Sequence, residues 1–397
     1  MESPSILIEK AKEKAKEILL KNSCKYGLLA SGQYYRDIWG RDALISCLGL
    51  IASKDERLME IAKRSIDTLA KFQRETGQLP NKVSPDLKKV GYGEGGCIDA
   101  SLWYPIAVLN FTLATGDYEF LEKHKKRIKK AVEFAKAQDV NGDFLLEIYD
   151  GSNWNDVLIR SGRVLTTNAL FYASLSASEK ILEEKDYWKI KLKENFNLLL
   201  WPKKENLERV RKEFGYSYIV KDFEFALRDG EKPYFFAEVG FRKYDSRFDV
   251  FGNVLAILFK VYDEEEKREK IMEEVERRRL DQPYPIKCLD PPIFENDFFR
   301  PFYFRQNDLP FLEEPGNYHN GGIWPFIGGF YILTLPKEKA KEKLERLIEA
   351  CKLNNWSFPE WISAKDFKPY GSKFQSWSAA MLLASIEYCY GDFKIVF

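Results

Sequence analysis

The chain alternates two kinds of helical stretch, and that alternation limits what it can fold into. Arg41 to Ser53, Asp99 to Thr115 and Gly321 to Leu335 are apolar on every side. Each is followed, after a short break, by a helix with a charged face: Glu56 to Thr76, Asp117 to Gln138 and Lys337 to Asn354. A helix that is apolar all round must be buried, whereas one with a charged face lies at the surface. The same periodicity marks Ser5 to Asn22, Val164 to Glu183, Lys185 to Leu200, Phe251 to Tyr262, Asp263 to Arg279 and Phe374 to Tyr390, about twelve helices in all. Inner and outer helices taken in turn predict an all-α fold of two concentric rings. This is an (α/α)6 barrel of six hairpins, with residues 1–397 as a single domain. A solenoid of helical pairs is the competing layout, but the sequence shows no fixed-period repeat.

The long breaks hold the Gly, Pro and aromatic residues: Thr76 to Cys97, Gly142 to Arg163, Pro202 to Val250, Asp281 to Asn320 and Asn355 to Lys373. Each precedes an apolar helix. In a two-ring barrel such outer-to-inner connections emerge at one end, and long ordered loops are usually functional. These loops should therefore wall one mouth of the barrel. Pro233 to Lys243 reads as a short hairpin strand inside one of them.

Composition removes several classes. The 62 basic and 61 acidic side chains leave a net charge of +1, so no bulk field favours nucleic acid or an anionic membrane. The first twenty residues are charged throughout and do not read as a signal peptide. No apolar stretch is long and charge-free enough to cross a bilayer. The six Cys are scattered, with no CxxC, and Cys47 and Cys389 lie in apolar helical runs where Cys acts as a small core residue. A reduced, cytoplasmic setting is expected, and heavy Lys and Glu use points to a thermophile. Neither a metal nor an organic cofactor is called for, and the oligomeric state is left open.

Four loops carry the candidate chemistry. Ser31 to Leu50 (SGQYYRDIWGRDALISCLGL) joins a polar, aromatic loop to an apolar helix and offers Trp39, Arg41 and Asp42. Asp42 reads either as a helix cap or as part of a sugar-binding rim, where carboxylates and Arg hold paired hydroxyls and indoles cover C–H faces. Asp150 to Asp156 (DGSNWND) sets Asp156 beside Trp154. An indole raises a neighbouring carboxyl's pKa by desolvation, which suits a general acid; backbone N–H groups satisfying a loop Asp are the alternative. Asn355 to Trp361 (NWSFPEW) encloses Glu360 in aromatics, where a carboxylate must be paired, solvated or functional. Gln375 and Trp377 follow at the start of the last inner helix. Glu313 to Pro325 (EEPGNYHNGGIWP) offers His319, as base or hydrogen-bonding residue, and Trp324, as core or ligand platform. Its two Gly permit tight backbone turns and Pro325 suits a first helical turn. Asp99 starts a helix with Trp103 one turn on, and reads as a cap or a site residue. His124, in the basic run HKKRIKK, reads as a surface residue.

Taken together, these segments resemble the amylo-1,6-glucosidase domain of glycogen-debranching enzymes and the neutral/alkaline invertases. YRDIWGRDALISCLGL, CIDASLWYPIAVLNF with TGDYEFLEKH, and NWNDVLIRSGRVLTTNALFYASL are similar to the debranching family. PGNYHNGGIWPF is closer to the invertases, and FPEWISAKDFKPYGSKFQSWSAAMLL resembles both. The resemblance runs in order from about Tyr35 to Tyr388. It implies an inverting glycoside hydrolase on a six-hairpin barrel, with Asp156 as general acid and Glu360 as general base, standing roughly 6.5–9.5 Å apart. Substrate contacts are implied at Trp39, Arg41, Asp42, Asp99, Trp154, His319, Trp324, Gln375 and Trp377. The implied partner is an α-glucan or a short α-glucoside, with sucrose as the invertase-like alternative. Asn155 and Val157 depart from the usual neighbours of that Asp in both families, and the chain is little more than the barrel.

A barrel of this kind does not fix function. A sugar isomerase on the same architecture needs paired His, and a non-catalytic glucan-binding barrel would tolerate the loss of one carboxylate. Zinc-dependent barrels need Cys/His ligands that this chain lacks.

Overall fold

The computed structural model describes residues 4–93, 97–297, 303–304 and 309–397. Six helices form the inner ring: α2 (Gly40–Ala52), α4 (Asp99–Thr115), α6 (Leu165–Leu182), α10 (Val250–Leu258), α12 (Pro325–Ile332) and α14 (Ser376–Tyr390). Each packs on the next, and α14 packs on α2 to close the ring. Every residue of α2 and of α12 is buried. The outer ring is α1 (Pro4–Lys21), α3 (Glu56–Lys71), α5 (Tyr118–Lys136), α7 (Tyr187–Leu199), α11 (Glu265–Arg277) and α13 (Lys337–Trp356). The two rings expected from the alternation are therefore present, and the chain adopts an (α/α)6 barrel. Among the described residues no helix is long and apolar enough to cross a membrane.

The inner helices approach closely because small residues line their contacts. A Cβ on Gly49 of α2 would collide with the Ala380 backbone of α14, and one on Gly329 would meet Met381 at 2.6 Å. Aromatic side chains fill the centre. The Trp377 and Phe326 rings stack 4.0 Å apart, and Phe330 packs on Trp103 and Phe251, each at 5.5 Å. This layer forms the floor beneath the mouth.

All the described strands lie in the outer-to-inner connections, so they collect at one end. Glu147–Ile148, Gly162–Val164, Glu238–Gly240 and Lys243–Asp245 form an antiparallel four-stranded sheet, with Arg163 opposite Val239 and Glu238 opposite Asp245. Ile38–Trp39, Lys82–Val83 and Val90–Gly91 form a second sheet. The inner-to-outer turns are short by contrast; α4 and α5 are joined by Gly116 and Asp117 alone, with Gly116 in the left-handed region.

Several expectations need correction. The long break from Pro202 to Val250 contains two helices, α8 (Leu207–Phe214) and α9 (Tyr218–Ala226). Both are short and packed on each other rather than into a ring, so no inner-or-outer signature marked them. The hairpin there is present but shifted, pairing Glu238–Gly240 with Lys243–Asp245. Gly321 to Trp324 is not helical: Ile323 exchanges backbone hydrogen bonds with Ile362 instead, at 2.8 Å each. His124 is buried, not at the surface. On α5 it falls on the stripe of Phe120, Leu121, Ile128 and Ala131, and its ring bonds the Tyr104 hydroxyl and Asp67. The charge of its neighbours concealed a helical phase that points inward.

The α8–α9 excursion is tied to the barrel by one buried cation. Arg163 bonds Asp143 through Nε at 2.7 Å, approaches Glu147 at 3.3 Å and reaches Asp222 of α9 at 3.2 Å. All four side chains are almost wholly excluded from solvent. Removing one member of a buried ionic cluster strands the others without compensation. Arg163→Met should therefore lower unfolding stability by about 3–5 kcal/mol, measured by urea titration.

Candidate active site

The inner helices all begin at the end where the strands collect, and the starts of α2, α12 and α14, with the loops between them, surround one small cavity of about 60 Å³. Tyr35, Trp39, Arg41, Asp42, Trp154, Asp156, Tyr318, His319, Trp324, Glu360, Gln375 and Trp377 line it. The lining includes every residue the sequence nominated except Asp99, which is the first residue of α4 and stands behind Arg41.

Trp39 is the N-cap residue of α2, which has no side-chain cap, so Asp42 is not the cap of that helix. Asp42 and Asp99 instead flank the Arg41 guanidinium, at 3.8 and 3.2 Å. Burial pushes both carboxyls up to about 6 against the opposing pull of Arg41. Desolvation outweighs a nearby cation here because the groups are excluded from water on all sides. Arg41 Nε, the indole N–H groups of Trp39, Trp154 and Trp377, and Gln375 Oε1 have no hydrogen-bond partner in the protein. Buried polar atoms are normally satisfied. Five such atoms on residues that line one cavity suit a ligand rich in hydroxyls.

Glu360 lines the same cavity from the α13-to-α14 connection. Its Oε1 accepts from the Tyr35 hydroxyl at 3.2 Å and the Tyr318 hydroxyl at 3.3 Å, and its Oε2 from the Ser372 N–H at 2.7 Å. Burial still pushes its pKa up to about 7, with Asp42 adding to the rise and the three donors opposing it. The backbone around it is unusual. α13 breaks at Leu353, then Asn354, Asn355, Trp356 and Phe358 all take positive φ. Such conformations cost free energy in non-glycine residues and cluster where a side chain must be held in place. Gly371, at φ +74, lies against the Glu360 carboxylate so closely that a Cβ would overlap it.

His319 is held between indoles, stacked on Trp324 at 5.2 Å and edge-on to Trp154 at 4.9 Å. Burial, helped by Arg41 and Arg160, puts its pKa well below the ordinary value. Its Nδ1 accepts from the Val157 N–H at 3.4 Å, which leaves Nε2 as the N–H donor. His319 is thus held neutral, with its Nδ1 already accepting a hydrogen bond. His124 is not among the cavity residues, so the isomerase reading loses the second His it needs.

Asp156 follows Trp154 in the α5-to-α6 connection and shares the cavity with Glu360. Tyr35 and Tyr318 escaped the sequence reading. Both adjoin nominated residues, in the segments GQYYRDIW and GNYHNGG, but among 21 tyrosines nothing local distinguished them.

Comparison with known proteins bears on this site. A family model described as amylo-alpha-1,6-glucosidase matches residues 8–384. A probable alkaline/neutral invertase A of Arabidopsis thaliana is 23% identical over 346 residues, which is 78% of this chain and 54% of that protein. The chain spans about half the length of the curated relatives it matches. A GH63 mannosylglycerate hydrolase from Thermus thermophilus, solved with Tris, superposes with a TM-score of 0.67 at 15% identity, covering 94% of this chain and 99% of that one. Its complex with glucose gives 0.65 at the same identity and coverage. The chain belongs to the amylo-alpha-1,6-glucosidase family.

The buried Glu360 carboxyl carries a stability consequence. Its folded pKa, about 7, stands above the ordinary 4.5. The associated stabilisation is complete below the unfolded value and is lost as pH rises through about 7, at most about 3 kcal/mol. Glu360→Gln should melt several degrees above wild type at pH 8, and the gap should close towards pH 4.5. Thermal melts at the two pH values check this.

Proposed function

We propose that this member of the amylo-alpha-1,6-glucosidase family is an exo-acting, inverting α-glucosidase that releases glucose from α-1,6-linked glucans or oligosaccharides. The observation that carries the reading is the pair of carboxyls, Asp156 and Glu360, on one cavity whose lining residues include three indole N–H groups, Arg41 Nε and Gln375 Oε1 without a hydrogen bond in the protein. Asp156 protonates the glycosidic oxygen. Glu360, aligned by Tyr35, Tyr318 and the Ser372 N–H, takes a proton from the attacking water on the opposite face of the sugar. Trp39, Arg41, Asp42, Trp154, His319, Trp324, Gln375 and Trp377 hold the glucosyl unit, and Asp99 orients Arg41. Residues 1–397 act as one catalytic barrel. The six unpaired cysteines suit a cytoplasmic location.

Two further readings have specific support. The invertase relatives favour sucrose as the substrate, hydrolysed by the same two carboxyls. The raised pKa of Glu360 equally suits an acid, which would exchange the two roles.

Free-sugar release from a phosphorylase limit dextrin, panose, maltotriose, trehalose and sucrose separates the substrates. The expected product is β-glucose from the α-1,6 substrates, read by NMR in the first minutes. Glucose and fructose from sucrose alone would replace the debranching reading with the invertase one. Asp156→Asn should lose activity on glucosides by orders of magnitude yet keep it on α-glucosyl fluoride, whose leaving group needs little protonation. Glu360→Gln should lose both. With Glu360 as base, kcat/KM falls about tenfold per pH unit below about 7; a rise in that direction would assign it as the acid.

A further inference from the structure

A groove of about 950 Å³ lies between the α7-to-α10 and α11-to-α12 connections. Both are outer-to-inner connections, so the groove opens at the same end of the barrel as the catalytic cavity. Its wall is fixed to the segment that follows Asp156. The Ile159 N–H donates to the Tyr303 carbonyl at 2.8 Å, Lys243 Nζ donates to the Ile159 carbonyl at 2.8 Å, and Arg160 Nη1 donates to Asp245 at 2.6 Å. Lys243, Asp245 and Tyr303 all line the groove. Ile159 and Arg160 stand only three and four positions after Asp156.

The lining selects a ligand class. Tyr244, Tyr303 and Phe225 supply aromatic surface. Most of the cations are already neutralised: Arg247 by Asp245 and Asp297, Lys232 by Asp229, and Arg278 by Glu274 and Asp290. An anion would have to compete with those carboxylates. Paired guanidinium and carboxylate groups beside flat rings instead offer donors, acceptors and apolar faces side by side, which suits a neutral polyhydroxylated chain. The volume stands at the upper end for small-molecule sites and far exceeds the 60 Å³ of the catalytic cavity, so the groove admits an extended ligand rather than a single sugar.

We propose that this groove binds the leaving-group portion of an α-glucan, the chain from which the terminal glucosyl unit is cut. This rests on Asp156 as the acid, because the acid stands on the leaving-group side of the bond. The α8–α9 excursion then has a role: it builds one side of the groove, and Arg163 fixes it to the barrel.

Tyr244→Ala and Tyr303→Ala test this in the full chain. On a branched malto-oligosaccharide each should raise KM about tenfold, the loss expected from an aromatic face. Hydrolysis of α-glucosyl fluoride, which has no sugar leaving group, should be unchanged. Equal losses on both substrates would mean that the tyrosines only support Asp156, and no loss on either would mean that the groove is not used; both results overturn the proposal. Titration calorimetry with maltoheptaose on Asp156→Asn protein, with and without Tyr303→Ala, reads binding apart from turnover. A tenfold weakening supports the groove even if no glycoside is hydrolysed and the catalytic reading fails. Unchanged affinity overturns it in either case.

Discussion

Six helices with no polar face have to be covered on every side, and the rest of the molecule follows from that requirement. Each can hide only by packing on two inner neighbours and beneath an outer helix. The ring closes when α14 meets α2. Because inner and outer helices alternate along the chain, every outer-to-inner connection must return to the same end. The described strands, the Trp-rich loops and the first turns of the inner helices therefore gather at one mouth. The opposite end has short turns and offers little material for a site.

Gathering six helix N-termini at a mouth favours anions there. The carboxyls behave otherwise: Asp42, Asp99 and Glu360 all have raised pKa values. Desolvation beneath aromatic rings outweighs the helix ends, Arg41 and the three donors on Glu360. This environment costs stability and gains chemistry. A carboxyl near neutrality exchanges protons readily at working pH, and a polar group without a protein partner is free to bind substrate. The strained backbone before Glu360 and the close approach of Gly371 fit the same exchange, in which local free energy is spent to hold one carboxylate still.

The α8–α9 excursion is the main departure from a plain barrel. It does not belong to either ring, and Arg163 ties its Asp222 to Asp143 and Glu147 of the α5-to-α6 connection. Through the sheet that includes Gly162–Val164 and Lys243–Asp245, the excursion is continuous with the loop that carries Asp156. The loop that carries Asp156 and the wall of the groove are thus joined by the same hydrogen bonds.

The sequence by itself determined the two-ring barrel, the mouth and most of the residues that line the cavity there. Apolar periodicity in Arg41–Ser53 or Asp99–Thr115 is a property of neighbouring residues, and burial follows directly from it. The site residues were legible because carboxylates and indoles stand together in loops such as NWND and NWSFPEW, where local propensity gives no reason for them. What the tertiary structure alone decided depends on contacts between distant segments. Tyr35 and Tyr318 lie 283 positions apart yet bond one oxygen of Glu360. Asp99 withdrew behind Arg41, and His124 turned inward despite its basic neighbours. Arg163 drew α9 onto the barrel. Each of these is set by which side chains meet when the ring closes, and no local pattern in the chain encodes those meetings.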